Sequence, residues 1–166
     1  MELKEAKQRF IQAWGGLGSS WGINRTMSQI HALLLVSPEA LSAEDIMEGL
    51  KVSRGNVNMN VRALMDWGLV KKELIPGERK EFFIADKDVN NMARQIARER
   101  RRRELQPVIE IMQEVKGVKG NTAEVKEFKA VVNDIAEFTG QLDSLSDKFI
   151  RSDRNWFFRV MMKVLK

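Results

Sequence analysis

This 166-residue sequence predicts a mainly α fold with one β-hairpin, on three observations. Apolar residues recur at helical spacing through most of the chain. Two consecutive helical segments in its first half each begin on a serine placed to cap them, with a glycine-bearing turn between. Directly after the second come two β-type runs around a Pro-Gly turn.

The elements follow in order. Residues 2–18 carry Leu3, Ala6, Phe10, Ala13, Trp14 and Leu17 at helical spacing, and Gly15, Gly16 and Gly18 are expected to loosen the end of that helix. "SSWGINRT" is a loop bearing Trp21, and a second helix covers about 27–36, closed by Ser37-Pro38. Ser42 with Asp45 three positions on is a capping box opening a third helix with apolar Ile46, Met47 and Leu50; Gly49 is expected to make its closing turn. Ser53 caps the fourth helix, Val57, Val61 and Leu64 form its core stripe, and Gly68 stops it. "LVKKELI" and "KEFFIA" flank the turn "PGER" as a hairpin. Helical spacing returns over about 87–115 with a kink at Pro107, then over about 123–147, and finally over 153–165.

Helix, turn, helix and hairpin in this order make a winged helix-turn-helix domain, a DNA-reading module. The expected organisation is an amino-terminal helix with this domain over 1–86, and a helical dimerisation arm over 87–166. Winged helices also serve as protein–protein interaction modules with weak or no DNA binding, and that alternative stands at this point.

Composition removes other classes. The chain has no cysteine, so disulfides, thiolate metal sites and cysteine nucleophiles are excluded. Its one histidine, His31, lies at helical spacing in the apolar stretch "TMSQIHALLL" and reads as a packing residue. There is no glycine-rich phosphate loop and no paired-carboxylate motif. No catalytic residue, metal site or cofactor is expected, and the protein is not read as an enzyme. The start "MELKEAKQRF" lacks the apolar core of a signal peptide, and no apolar run approaches the roughly 20 residues of a membrane span, so a soluble cytoplasmic protein is expected.

The candidate site is the outer face of the fourth helix. On a helical wheel centred on Val57, the residues Val61, Leu64 and Gly68 fall on the same side, and Gly55, Met59, Arg62 and Asp66 fall opposite. Asn56 and Asn58 take the two shoulders of that outer face, whereas Asn60 borders the core stripe. An asparagine amide matches adenine N6 and N7, so Asn56 and Asn58 are candidate base readers. Arg54 and Arg62 can grip guanine O6/N7 or phosphates, Met59 can touch a thymine methyl, Ser53 can donate to a phosphate, and Gly55 admits a close backbone approach. Arg79 and Lys80 at the wing tip are placed for the minor groove or the phosphates.

The net charge is +5, and the run from Arg94 to Arg103 holds six arginines against one glutamate. Two readings of it stand: a solvated helix face pairing internally at i, i+4, or extra phosphate contacts. Further on, Phe128, Val131, Val132, Ile135, Phe138, Leu142, Leu145 and Phe149 trace one apolar stripe, and "NWFFRVMMKVL" is apolar nearly all round. A helical arm of this size does not bury so much apolar surface alone, so a two-fold partner is expected; a membrane-surface role for the last helix is the alternative.

The segment from "TMSQIHALLLVSPEALSAEDI" through "VSRGNV", "LMDWGLV" and "PGERKEFF" resembles the MarR-like regulators of the glycine betaine synthesis repressor (GbsR) family. The resemblance covers about 22–84 closely and the helical remainder in layout. It implies a homodimeric transcriptional regulator, usually a repressor, that binds a near-palindromic double-stranded operator with two wings and dimerises through its terminal helices. The family also suggests a small-molecule effector, a quaternary ammonium held in an aromatic cage by cation–π attraction. No cage motif matches residue by residue; Trp14 and Trp21 are the best-placed candidates for such a contact.

Overall fold

The computed structural model describes residues 1–20 and 22–152, and these fall into two compact units, Met1–Met92 and a second beginning at Ala93. Trp21 and the helix expected over 153–165 lie outside the described residues.

In the first unit, α1 (Leu3–Ser20) continues through the glycines that were expected to loosen it. Its buried residues are Ile11, Gly15 and Gly18, spaced four and three apart on one face. A Cβ at Gly18 would stand 1.9 Å from Ser28 Oγ, and one at Gly15 would stand 2.6 Å from Gln29 Cγ. The glycines therefore let α1 nest against α2 (Arg25–Val36), and the expected stripe is rotated away: Leu3 is 71% exposed, and Phe10 and Leu17 are also open to solvent.

α2 supplies the centre of the core. Asn24 Oδ1 caps it by accepting from the Met27 N–H at 3.2 Å, and Ile30, Ala32 and Leu34 are wholly buried. α3 (Ala43–Leu50) opens on the expected capping box: Ser42 Oγ accepts from the Asp45 N–H at 3.2 Å, and the Ser42 N–H donates to Asp45 Oδ2 at 2.8 Å. Its closing turn differs from expectation. The left-handed residue is Lys51, at φ 55°, and Gly49 lies inside the helix.

α4 (Arg54–Asp66) begins after Ser53, whose Oγ accepts from the Asn56 N–H at 3.4 Å. It buries Val57, Val61 and Leu64, as the spacing requires. Gly68 ends it at φ 72°, where the Gly68 N–H reaches Met65 O and the Leu69 N–H reaches Leu64 O, both at 2.9 Å. These are the paired bonds of a Schellman turn, with glycine in the left-handed position.

The sheet has three antiparallel strands in the order β1-β3-β2, one more than the hairpin expected. β1 (Leu41–Ser42) pairs with β3 (Phe82–Ala85), and β2 (Val70–Glu73) pairs with the other edge of β3 in the register Val70↔Ala85, Lys72↔Phe83. Two residues of strand leave too little alternation to be seen in a sequence. The hairpin turn is Ile75–Pro76–Gly77–Glu78, closed by the Glu78 N–H on Ile75 O at 3.1 Å, one residue earlier than expected. Proline then holds the second position, and glycine at φ 87° the third, as a type II turn demands.

α5 (Val89–Arg100) leads into a π-helical turn (Arg101–Leu105), and α6 (Gln106–Val115) follows. The wide turn immediately precedes Pro107, which cannot donate to an i−4 carbonyl and clashes with it in a regular α-helix. A π-helical turn is thus what stands beside Pro107, where a kink is expected. In the second unit α7 (Ala123–Arg151) is capped by Thr122 and runs 29 residues, beyond its expected end near 147. The arginine run is spent within this unit. Arg101 forks onto Asp143 at 2.6 and 2.8 Å and reaches Asp147 at 3.2 Å; Arg102 and Arg103 both bind Glu99 at 2.5 Å, and Arg100 binds Glu104 at 2.9 Å.

Candidate nucleic-acid interface

The outer face of α4 is assembled by what its inner face buries. With Val57, Val61 and Leu64 held in the core, Arg54, Gly55, Asn56, Asn58, Met59 and Arg62 are all exposed, Met59 by 58%. Asn60 belongs to the other side: it is 3% exposed, and its amide donates to the Asn56 carbonyl at 2.8 Å. Such a back-bond to the preceding turn satisfies a buried amide at little cost to the helix. Helix capping leaves the first N–H groups of α4 and the Ser53 hydroxyl at the same end as Arg54, the end at which a helix attracts anions.

The wing runs from Lys71 to Glu81 entirely exposed, with Leu74 at 91%. Arg79 and Lys80 follow the turn on the returning side. The strand register separates the two lysines of β2. Lys72 lies opposite the buried Phe83, on the side of α4, whereas Lys71 lies opposite Ile84 on the other face. Between helix and wing is a groove of about 160 Å³ lined by Asn58, Val61, Arg62, Met65, Lys72, Glu81 and Phe83. Its accessible lining is mostly polar, with amide and charge from Asn58, Arg62, Lys72 and Glu81. Lys72 pairs with Glu81 at 2.5 Å across the hairpin.

Two contacts here escaped the sequence. Lys72–Glu81 depends on the hairpin register. The second joins Arg54 Nη2 to Glu44 Oε1 at 2.6 Å. Glu44 on its own reads as an acidic residue in the first turn of a helix, favourable to the helix dipole. Its distance of ten residues from Arg54 is bridged only by the turn at Lys51. The hydrogen bond from Arg54 holds the Glu44 carboxyl below the usual carboxylate range, and the charge of Lys80 on the wing acts in the same direction. Asp45 is lowered as well, first by its bonds to Ser42 and then by Lys80. The wing cation and the acidic first turn of α3 thus face each other.

Away from this face, Trp14 stacks on Phe10 with ring centroids 5.5 Å apart and lies 6.3 Å from the His31 ring. His31 is 3% exposed, Nε2 finds no hydrogen-bond partner among the described residues, and burial pushes its pKa down to about 4.

A capped pair of short helices, a three-stranded sheet with a protruding hairpin and a second helix showing amides and cations outward define a winged helix-turn-helix protein. The comparisons make this specific: residues 21–81 match the MarR family, so this segment is similar to MarR-like winged-helix regulators. It is 29% identical over 75 residues to the HTH-type transcriptional regulator MmpR5 of Mycobacterium tuberculosis, covering 45% of this chain and 46% of that one. It is 26% identical over 86 residues to the HTH-type transcriptional repressor GbsR of Bacillus subtilis, covering 52% of this chain and 47% of that one. The chain thus spans about half the length of the curated relatives it matches. A solved structure described as a transcriptional regulator shares the fold with a TM-score of 0.68 at 19% identity, over 87% of this chain and 95% of that one. Among the described residues no helix is long and apolar enough to cross a membrane.

Proposed function

We propose that the protein is a homodimeric, sequence-specific DNA-binding transcriptional regulator of the GbsR-like kind, acting as a repressor in the cytoplasm, and not an enzyme. The observation that carries this is the outer face of α4: Arg54, Asn56, Asn58 and Arg62 stand exposed beside a basic wing, in a module of the MarR family. In this reading α4 enters the major groove, where Asn58 and Arg62 meet base edges, and Arg79 and Lys80 meet the minor groove or the backbone. Asn56, Met59 and Gly55 complete the contact surface, and Ser53 donates to a phosphate. Dimerisation is supported by the apolar residues left open on α7, where Phe128, Val131, Ile135, Phe138 and Leu145 are 40–61% exposed, and by Leu3, Phe10 and Leu17 on α1. A two-fold pair would present two recognition helices to half-sites about one helical turn apart.

Selection of duplexes from a random pool, followed by shift assays at two salt concentrations, tests the reading. A near-palindromic consensus and a steep salt dependence are expected. Arg62→Ala and Asn58→Ala should each cost about 1–3 kcal/mol on the consensus and relax one position, whereas Arg79→Ala should weaken all duplexes alike. Absence of any selected consensus would favour a winged-helix module that recruits a protein.

A further inference from the structure

Arg54 has two possible uses on DNA, as a base reader or as a phosphate anchor, and its contact with Glu44 discriminates between them. The two side chains meet at 2.6 Å while remaining 59% and 42% exposed, so the pair sits on the outer surface at the start of α4. An ion pair this open to water contributes little to folding, because solvent screens it and two long side chains lose rotamer freedom. Its effect is felt by whatever approaches. Only Nη2 of the guanidinium is committed to Glu44 Oε1. The remaining N–H groups of the planar fork stay available, and the bond biases the fork toward orientations that keep Nη2 on Glu44.

The charge of the pair decides what those N–H groups prefer. Phosphate binding draws on net positive charge and on release of counterions, and a guanidinium already neutralised by a carboxylate has little of either to offer. A guanine edge presents neutral acceptors, O6 and N7, for which orientation counts most and net charge least. Glu44 also lies within the field of Lys80 on the wing, so it moderates that cation as well. Both ends of the pair are tied to rigid features. Arg54 is the first residue of α4 directly after its Ser53 cap, and Glu44 lies within the Ser42–Asp45 capping box that β1 anchors to the sheet.

We propose that Glu44 is a positioning residue for base readout: it aims Arg54 at a base edge and withdraws it from phosphate binding, raising discrimination between operator and other DNA. This rests on the DNA-binding reading above.

The test uses the full chain, the wild-type consensus duplex and a scrambled duplex of equal length across a salt series. Glu44→Gln keeps the shape and removes the charge. It should tighten binding to the scrambled duplex, steepen the salt slope by about one, and lower the ratio of consensus to scrambled affinity by about tenfold. Base preference should relax at the same position that Arg54→Ala relaxes. In the Arg54→Ala background, Glu44→Gln should leave base preference at that position unchanged. The proposal is overturned if Glu44→Gln shifts both duplexes by one factor, changes neither, or acts identically with and without Arg54. If the wild-type chain selects no consensus, the underlying DNA-binding reading fails first, and that is visible before any variant is made. Thermal melts of each variant confirm that the fold is retained.

Discussion

The two units handle their apolar residues in opposite ways. In the first, Ile30, Leu34, Ile46, Val57, Val61 and Leu64 are all but wholly removed from water within one chain. In the second, Val132 is the buried hydrophobic residue among those described, while Phe138 is 61% exposed, Leu145 57% and Ile111 51%. One unit has a core of its own. The other leaves apolar side chains of α7 exposed among the described residues, and Arg101 ties its π-helical turn to Asp143 and Asp147 on α7. Each of these half-exposed aromatic or aliphatic side chains forgoes about 1 kcal/mol of burial, roughly half the value of a fully buried one, which a second copy could recover. The lesson is that a closed apolar core and an open apolar face come from different segments of one chain.

The largest effect is expected where that contrast is sharpest. Phe138→Glu should convert a two-chain particle into a single chain by light scattering, and weaken consensus DNA by about 100-fold or more as two-point attachment is lost. A wild-type chain that stays single at all concentrations would remove the contrast altogether.

The next effect belongs to the first unit. His31 has an unfolded pKa of 6.5 and a folded pKa of about 4, lowered by burial. The unfolded chain therefore takes up a proton first as pH falls. The stability His31 contributes is complete above pH 6.5 and is lost as pH drops from there towards 4. The full loss is about 3 kcal/mol. Urea unfolding at pH 7.5 and 4.5 should show a smaller loss for His31→Leu than for wild type, and parallel losses would place the histidine elsewhere.

Gly18→Ala should destabilise the chain by about 1–3 kcal/mol, because the new methyl meets Ser28 where α1 nests on α2. An unchanged melting temperature would mean that α1 docks more loosely than this contact requires. The smallest effect has the opposite sign. Lys51→Gly should stabilise by about 0.5 kcal/mol, since the relief of a left-handed lysine exceeds the entropy a glycine adds to the unfolded chain. Gly68, at the matching position after α4, is the internal control: Gly68→Ala should move stability the other way.

Legibility followed the range of the interaction. The capping box at Ser42, the Ser53 cap and the Schellman turn at Gly68 were readable because each is closed within about six residues by chemistry specific to serine, aspartate or glycine. The core stripe of α4 was readable because three branched apolar residues share one face and Arg62 with Met59 occupy the other. The α1 stripe was misjudged: size suggested Leu3, Phe10 and Leu17, but close helix approach selected the smallest residues, Gly15 and Gly18. Lys51 was missed because a left-handed turn can be forced on a lysine when the surrounding core outweighs its strain.

By itself, then, the sequence determined the order of elements, the winged helix-turn-helix architecture and the separation of Asn56 and Asn58 from Asn60, since period and capping act locally. Tertiary structure alone decided that a two-residue strand joins the sheet and that Arg54 meets Glu44. It also decided that Arg101 reaches Asp143 and Asp147, whereas Arg100, Arg102 and Arg103 stay on an exposed face in the local i, i+3 and i, i+4 pairs that the spacing offers. The physical reason is that charge pairing between separate elements has no periodicity. Any of the 28 basic side chains can satisfy any of the 23 acidic ones, and only the folded backbone chooses which come within reach.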